Sequence, residues 1–180
     1  MKVLYFIALL PPADLREEIH RIRLECSEKF GVKKALKPPV HITLYPPFRF
    51  EESYERQLTH ILRRQTNDLH SFTQVLEGFG HFRKEVVFIN ALRSDALMSL
   101  QQAIREVFNK DEEERQGPAE FHPHLTIAYR DLTPAKFDSI WKEFGRRTYR
   151  AEFQANRFTL LKHDNVKWNP VKHFKLHGIV

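Results

Sequence analysis

Two short segments of the chain, 83 residues apart, repeat one pattern of side chains. The first segment is Pro39-Val40-His41-Ile42-Thr43-Leu44-Tyr45, and the second is Pro123-His124-Leu125-Thr126-Ile127-Ala128-Tyr129. In both, an aliphatic residue follows the histidine and another follows the threonine. This alternation of polar and apolar residues is typical of a half-buried β-strand. If two such strands lie on facing parts of the fold, they line one cleft.

The alternation also assigns the side chains to faces, because a strand projects every second residue to the same side. In the first copy the expected cleft face holds His41, Thr43 and Tyr45. In the second copy it holds His124, Thr126, Ala128 and Arg130. The intervening aliphatic residues are expected to point into the core. The two copies therefore predict a cleft lined by two imidazoles and two hydroxyl groups.

Periodicity elsewhere predicts an α+β fold with antiparallel sheets. Helical patterns with end signals cover residues 14–31, 53–70, 94–108 and 133–145, the first opening on a capping box of Asp14 and Glu17. Stretches rich in β-branched and aromatic residues cover 3–10, 40–45, 72–79, 85–92, 121–129, 149–161 and 172–180. Within 149–161 the alternation changes phase at Asn156-Arg157, which predicts a β-bulge. Strand–helix pairs are mixed with adjacent strands, so we do not expect a doubly wound parallel sheet.

Composition limits the class of protein further. With 180 residues, 42% of them hydrophobic, the chain can bury about 70% of its unfolded surface, so we expect residues 1–180 to form one compact domain or two small lobes that share a core. The single cysteine, Cys26, excludes an internal disulfide framework and indicates a reducing, cytoplasmic setting. The longest apolar run, residues 3–10, is far shorter than a membrane span of about 20 residues. No glycine-rich phosphate loop follows a strand, which disfavours a P-loop or Rossmann site.

The net charge of +6 is unevenly distributed along the chain. Residues 141–180 contain nine Lys or Arg against three Asp or Glu, whereas the two signs balance in the first 140 residues. A local positive field of this kind attracts partners that carry phosphate, although a solvated basic face would give the same count. An acidic run at residues 111–114 is expected to be a solvated helix end with no chemical role.

The paired histidines and threonines suit phosphoester chemistry without a metal ion. Two imidazoles can divide the proton transfers near neutral pH, one as general base and one as general acid. Threonine hydroxyls can donate hydrogen bonds to the non-bridging phosphate oxygens, and Arg130 can add a charge-assisted contact. His41 and His124 are therefore the candidate catalytic residues, and Thr43, Thr126, Tyr45 and Arg130 are the candidate substrate-binding residues.

With these motifs the chain resembles the two-histidine phosphoesterase superfamily, in the branch of 2′-5′ RNA ligase-like proteins and RNA 2′,3′-cyclic phosphodiesterases. The resemblance rests on the two His-x-Thr motifs, with support from four further segments: 9–12, 78–82, 121–124 and 158–160. It implies two pseudo-twofold related lobes around a central cleft. It also implies opening of 2′,3′-cyclic phosphates to 2′-phosphates, or reversible 2′-5′ joining, without metal, ATP or another cofactor. Relatives often carry an arginine five residues after the second histidine, where this chain has Tyr129 and Arg130 follows. Alternation favours Arg130 for the cleft face, whereas a β-bulge would place Tyr129 there.

Two other interpretations of the sequence stay open. The same fold could serve as an RNA- or nucleotide-binding module without turnover, although intact histidines and threonines in both motifs disfavour it. His122 and His124 could instead begin a zinc or non-haem iron site, which would leave the threonines unexplained. The expected ligands are RNA ends or small cyclic-phosphate nucleotides, and the protein is expected to be a monomer that does not enter membranes.

Overall fold

The computed structural model describes residues 1–108 and 120–178, and in these residues eight strands and four α-helices are found. The strands are β1 (Lys2–Leu9), β2 (Ile42–Glu51), β3 (Phe72–Phe82), β4 (Val86–Ala91), β5 (His124–Tyr129), β6 (Arg150–Ala155), β7 (Arg157–His163) and β8 (Trp168–Lys175). The helices are α1 (Ala13–Phe30), α2 (Glu55–Gln65), α3 (Asp95–Phe108) and α4 (Pro134–Phe144). The acidic run at residues 111–114 and the last two residues of the predicted strand 172–180 lie outside the described residues.

The strands form two four-stranded antiparallel sheets, one in each lobe. The first sheet has the order β2-β1-β7-β8, and the second has the order β5-β4-β3-β6. The sequence of elements β1-α1-β2-α2 recurs as β4-α3-β5-α4, so the lobes are related to each other. The α+β class and the two related lobes predicted from the sequence are confirmed.

Both motif strands lie at the edges of their sheets, and the edges meet. Strand β2 contains the first motif and β5 the second, and the two strands contact each other. Helix α1 packs against β5 of the opposite sheet, and α3 packs against β2 in the same exchanged manner. Each motif strand is therefore supported by a helix that begins in the other lobe, and a continuous hydrophobic core includes residues of both lobes.

Two helix ends follow the sequence signals closely. Gly31 ends α1 in the left-handed conformation with φ of 66°, and its N–H donates to the carbonyl oxygen of Ser27. The Thr133 hydroxyl accepts a hydrogen bond from the backbone N–H of Lys136 at the start of α4. Helix α2 spans Glu55–Gln65, which is shorter than the predicted 53–70.

The capping box predicted for the first helix is wrong. Pro12 occupies the N-cap position of α1, and no side chain there makes a capping hydrogen bond. Asp14 lies in the first turn instead, where its charge complements the positive end of the helix dipole. Strand β2 also differs from expectation, because it continues through Pro46 and Pro47 to Glu51. An edge strand tolerates these prolines, since a missing N–H does not interrupt a central ladder.

The β-bulge predicted at Asn156-Arg157 is a change of sheet. Strand β6 ends at Ala155 in the second sheet, and β7 begins at Arg157 in the first sheet, with only Asn156 between them. A single residue that redirects the chain shifts the alternation by one position, as a bulge does. This crossing places β7 and β8 in the lobe that contains the first motif.

Candidate functional site

The side chains of the first motif, and those of the second motif as far as Ile127, lie on the faces that alternation assigns to them. Ile42 and Leu44 are buried in β2, and Leu125 and Ile127 are buried in β5. The five predicted site residues of these segments are partly exposed: His41, Thr43, Tyr45, His124 and Thr126.

A cleft of about 410 Å³ lies where the two edge strands meet. Thr43 and Tyr45 line it from the first lobe and His124 lines it from the second. Its other polar side chains come from α3 and from the segment before β5: Gln101, Arg105, Glu120 and His122. His41 and Thr126 lie on the same strand faces but do not contribute to the wall of this cavity. The fold thus brings residues of both motifs to one cleft.

Each of the two histidines makes the same type of hydrogen bond, from its ring to a backbone carbonyl oxygen two residues earlier. The Nδ1 atom of His41 lies 2.6 Å from the carbonyl oxygen of Pro39, and that of His124 lies 2.6 Å from the carbonyl oxygen of His122. A carbonyl oxygen only accepts, so Nδ1 must carry the hydrogen in each ring. In the neutral imidazole this leaves Nε2 with its lone pair, ready to accept a proton. Both rings have the tautomer that acid–base chemistry at Nε2 requires.

An aromatic ring from the neighbouring strand packs beside each histidine. The ring of Phe6 in β1 has its centroid 4.8 Å from that of His41. The ring of Phe88 in β4 has its centroid 4.8 Å from that of His124, and Phe82 approaches the same imidazole at 4.9 Å. These rings are apolar neighbours that shield both imidazoles from water.

Burial makes both imidazoles weaker bases than a histidine in water. It lowers the pKa of His41 to about 4, and the positive charge of Arg23 acts in the same direction, as does His124 when it is protonated. Burial also lowers the pKa of His124, and His122 contributes to this shift. The carbonyl hydrogen bonds oppose these effects without cancelling them. Both histidines are therefore neutral at pH 7 in the ligand-free protein.

A buried arginine that the sequence analysis did not select connects the two motifs. Arg23 of α1 is 1% exposed. Its Nε atom donates to the carbonyl oxygen of Thr126 at 2.8 Å, and its Nη1 atom donates to that of Pro38 at 3.0 Å. Burial lowers the pKa of Arg23 to about 10, which leaves the group charged at neutral pH. The sequence signal was a charged residue four positions after Ile19, on the apolar side of the first helix.

Tyr45 lines the cleft, and Arg130 does not. The Tyr45 ring stacks on Phe108 with centroids 4.1 Å apart. The pairing of β4 with β5 is irregular between Val87 and Phe88, so Ile127 and Ala128 are both buried. The prediction that strict alternation continues from Thr126 to Arg130, and so places Arg130 on the cleft face, is therefore wrong.

Arg130 itself follows the end of β5 with φ of 66° and is exposed. Its guanidinium carbon lies 5.1 Å from the centroid of the Tyr129 ring. The left-handed backbone turns the chain after the strand and directs this side chain along the surface. A contact between Arg130 and substrate stays a prediction.

A metal site at His122 and His124 would need further ligands close by. Within residues 1–108 and 120–178, no three His, Cys, Asp or Glu side chains gather in a way that could hold a metal ion. The ring centroids of His122 and His124 lie 6.3 Å apart.

The described residues contain no helix long and apolar enough to cross a bilayer.

The two related α+β lobes, each with a His-x-Thr strand at the shared edge, have the arrangement that the resemblance to the two-histidine phosphoesterase superfamily implies. Residues 11–167 match the family model of the 2′-5′ RNA ligase superfamily, and the chain belongs to this family. The match covers both motifs and all four helices.

Similarity to individual proteins agrees with this assignment. The chain is 26% identical over 147 residues to the RNA 2′,3′-cyclic phosphodiesterase of Thermotoga maritima, a match that covers 75% of this chain and 74% of the relative. The Escherichia coli LigT crystal structure with 3′-AMP superposes with a TM-score of 0.71 at 20% identity, covering 98% of this chain and 99% of LigT. A Thermus thermophilus structure gives a TM-score of 0.72 at 18% identity, covering 98% of this chain and all of the other. The two structures show a shared fold.

Proposed function

We propose that this protein opens the 2′,3′-cyclic phosphate ends of RNA or nucleotides, with His41 and His124 as the acid–base pair and no metal ion. The observation that carries the proposal is the matched pair of Nδ1–carbonyl hydrogen bonds, which leaves each Nε2 available for proton transfer. The name of the Thermotoga maritima relative supports this substrate class. The complex of LigT with 3′-AMP shows that a protein of the same fold accepts a phosphorylated nucleoside.

The chemical step requires one neutral and one protonated imidazole. The neutral histidine takes a proton from a water molecule as the water oxygen attacks phosphorus. The bond between phosphorus and the 3′ oxygen breaks, and the protonated histidine transfers its proton to that oxygen. The product is a 2′-phosphomonoester. If an RNA 5′-hydroxyl replaces the water, the same proton transfers join two strands through a 2′-5′ bond, and the reverse reaction cleaves it.

The threonines and the two aromatic walls have a different role in this scheme. Thr43 and Thr126 donate hydrogen bonds to the non-bridging oxygens, which gain negative charge as the water attacks. Phe6 and Phe88 limit water around the imidazoles, which strengthens the electrostatic interaction of each ring with the phosphate. The negative charge of the bound phosphate also raises the pKa of the histidines. One imidazole can then be protonated in the complex, although both are neutral in the free protein.

The metal-free mechanism predicts that activity survives chelation. Hydrolysis of a panel of 2′,3′-cyclic nucleotides should proceed at the native rate in excess EDTA, because imidazoles perform both proton transfers. The reaction is followed by phosphorus NMR, which also identifies the 2′-phosphate product. Loss of activity in EDTA with recovery on added zinc or manganese would favour a site at His122 and His124 instead. Tight binding of the panel without turnover would favour a binding module.

The pH dependence of kcat/KM follows from the low pKa values of the free histidines. For an acid–base pair, kcat/KM peaks midway between the two free-enzyme pKa values, whichever group is the acid. Because burial places both below the usual 6.5, we expect the maximum below pH 6.5 and a fall on the alkaline side. The kcat profile should be displaced to higher pH, since the bound phosphate raises both values. A kcat/KM that rises to a plateau above pH 8 would contradict this assignment.

A further inference from the structure

We propose that a basic cavity on the first sheet, beside the histidines, binds a second, non-reacting phosphate of a single-stranded RNA whose cyclic end lies at His41 and His124. This rests on the proposed function and deepens it, because it assigns an oligonucleotide rather than a mononucleotide as the preferred substrate. We call this cavity the basic cavity and define it by Arg16, Arg157, His173 and Lys175.

The basic cavity is large and contains no acidic side chain. Its volume is about 880 Å³, twice that of the cleft at the motif strands. Besides the four basic residues it is lined by Gln154 and Asn156 and by apolar or proline residues at the start of α1, the end of β6 and in and after β8. A concave surface of this charge concentrates anions, and amide side chains add neutral hydrogen-bond donors.

Three cations of the basic cavity have no counter-charge among the described residues. Over residues 1–108 and 120–178, neither Arg16, Arg157 nor Lys175 makes a salt bridge, and Arg16 Nε is buried without a hydrogen-bond partner. Gathering uncompensated positive charges is unfavourable, and an anionic ligand removes that cost.

The basic groups of the cavity are also close enough to interact electrostatically. Burial lowers the pKa of His173, and the positive charges of Arg157 and Arg16 lower it further. The Nδ1 atom of His173 lies 2.9 Å from the Thr159 hydroxyl, which fixes the ring at the surface of the sheet. Arg157 and Lys175 are paired across β7 and β8. These contacts place the four groups in one continuous patch.

The strand register puts the basic cavity on the face of the sheet that carries the catalytic motif. Thr43 pairs with Ala8, Ala8 pairs with Thr159, and Thr159 pairs with His173. Residues paired across neighbouring strands share a face, and strands are about 4.8 Å apart. His173 therefore lies about 14 Å from Thr43, counted backbone to backbone across three strand spacings.

A buried apolar cluster of Phe6, Ala8 and Leu161 separates the two sites, and the partly exposed side chains of Leu10 and Trp168 pack on it. Leu10 also lines the basic cavity, and the Phe6 ring contacts His41. An RNA strand that leaves the catalytic cleft and passes over Leu10 and Trp168 would reach the basic cavity with its next backbone phosphates. Arg157 and Lys175 are two of the nine Lys and Arg residues of the basic segment 141–180.

Binding of nucleotides that are not turned over tests the proposal without relying on catalysis. The probe is a fluorescent RNA trinucleotide with a terminal 2′-phosphate, measured by anisotropy, and 2′-AMP is measured by competition. The variant is Arg157→Gln with Lys175→Gln, which removes two cations and leaves the motif residues in place. We expect trinucleotide affinity to fall at least about tenfold, the loss of one phosphate contact that several cations share, while 2′-AMP affinity stays within twofold. The slope of log K against log salt should decrease in magnitude by about 0.7 for the lost phosphate contact.

A matched variant controls for net charge. Lys142→Gln with Arg146→Gln removes one lysine and one arginine from the exposed side and end of α4, and should bind both ligands as the native protein does. An equal loss in this control, an equal loss for 2′-AMP, or unchanged trinucleotide binding would each overturn the second-phosphate site. If the expected binding pattern appears but no cyclic phosphate is opened in the chelator assay, the proposed function fails and the phosphate site stands.

Discussion

Replacement of His41 or His124 by alanine is expected to reduce turnover of a 2′,3′-cyclic nucleotide at least about 100-fold, with the fold intact. General acid and general base catalysis each contribute typically about 10²- to 10⁴-fold, and neither ring has a substitute at its position. Each imidazole is only partly buried, so its removal should leave the lobe packed. The measurement is kcat and KM for each variant, together with thermal unfolding.

Two other histidines are matched controls for this prediction. His81 can be replaced by alanine in the same way. Its Nδ1 atom lies 2.7 Å from the carbonyl oxygen of Arg83, a contact similar to those of His41 and His124. Its ring, however, packs on α4 and does not line the cleft. His122 lies in the cleft but offers the site its backbone carbonyl oxygen, which alanine retains. Both alanine variants should lose far less activity. Native turnover in His41→Ala or His124→Ala would end the acid–base assignment.

Thr43→Val and Thr126→Val are expected to lower kcat/KM roughly 10- to 150-fold. Valine keeps the shape of threonine but removes a hydrogen-bond donor to a charged group, a contact worth about 1.5–3 kcal/mol. The threonines do not transfer protons in the proposed step, so the pH profile of each variant should keep the position of its maximum. This separation of rate from pH dependence distinguishes a phosphate ligand from an acid or base.

Thr73→Val is the matched control for the threonine variants. Thr73 lies on strand β3 and is exposed, with a hydrogen bond from Gln154 as its only side-chain contact of this kind among the described residues. Its replacement should leave kcat/KM unchanged. Effects below twofold at both Thr43 and Thr126 would remove the threonines from the site.

The sequence predicted what depends on local alternation. A half-buried strand must place every second side chain in the core, so the pattern from His41 to Tyr45 assigned the faces correctly. Helix ends with a specific chemical signal, such as Gly31 and Thr133, were equally readable. The two related lobes were implied by the resemblance to the two-histidine phosphoesterase superfamily, not by the alternation itself.

Features that depend on distant contacts could not be predicted in this way. A change of sheet at Asn156 and a bulge shift the alternation alike, and only the neighbours of β6 and β7 distinguish them. The irregular pairing at Ile127 similarly breaks the alternation before Arg130. Arg23 was visible as a charge on an apolar helix face, but its partners lie 15 and 103 residues away.

A kinetic cycle of His41→Ala, His124→Ala and the double variant tests most directly whether the two histidines act together in one chemical step. If they divide the proton transfers of that step, removing the second adds little once the first is lost. We expect the double variant to have a kcat close to that of the more impaired single variant. Losses that multiply, so that two 100-fold effects give a 10,000-fold effect, would show that the histidines act independently and would contradict the paired mechanism.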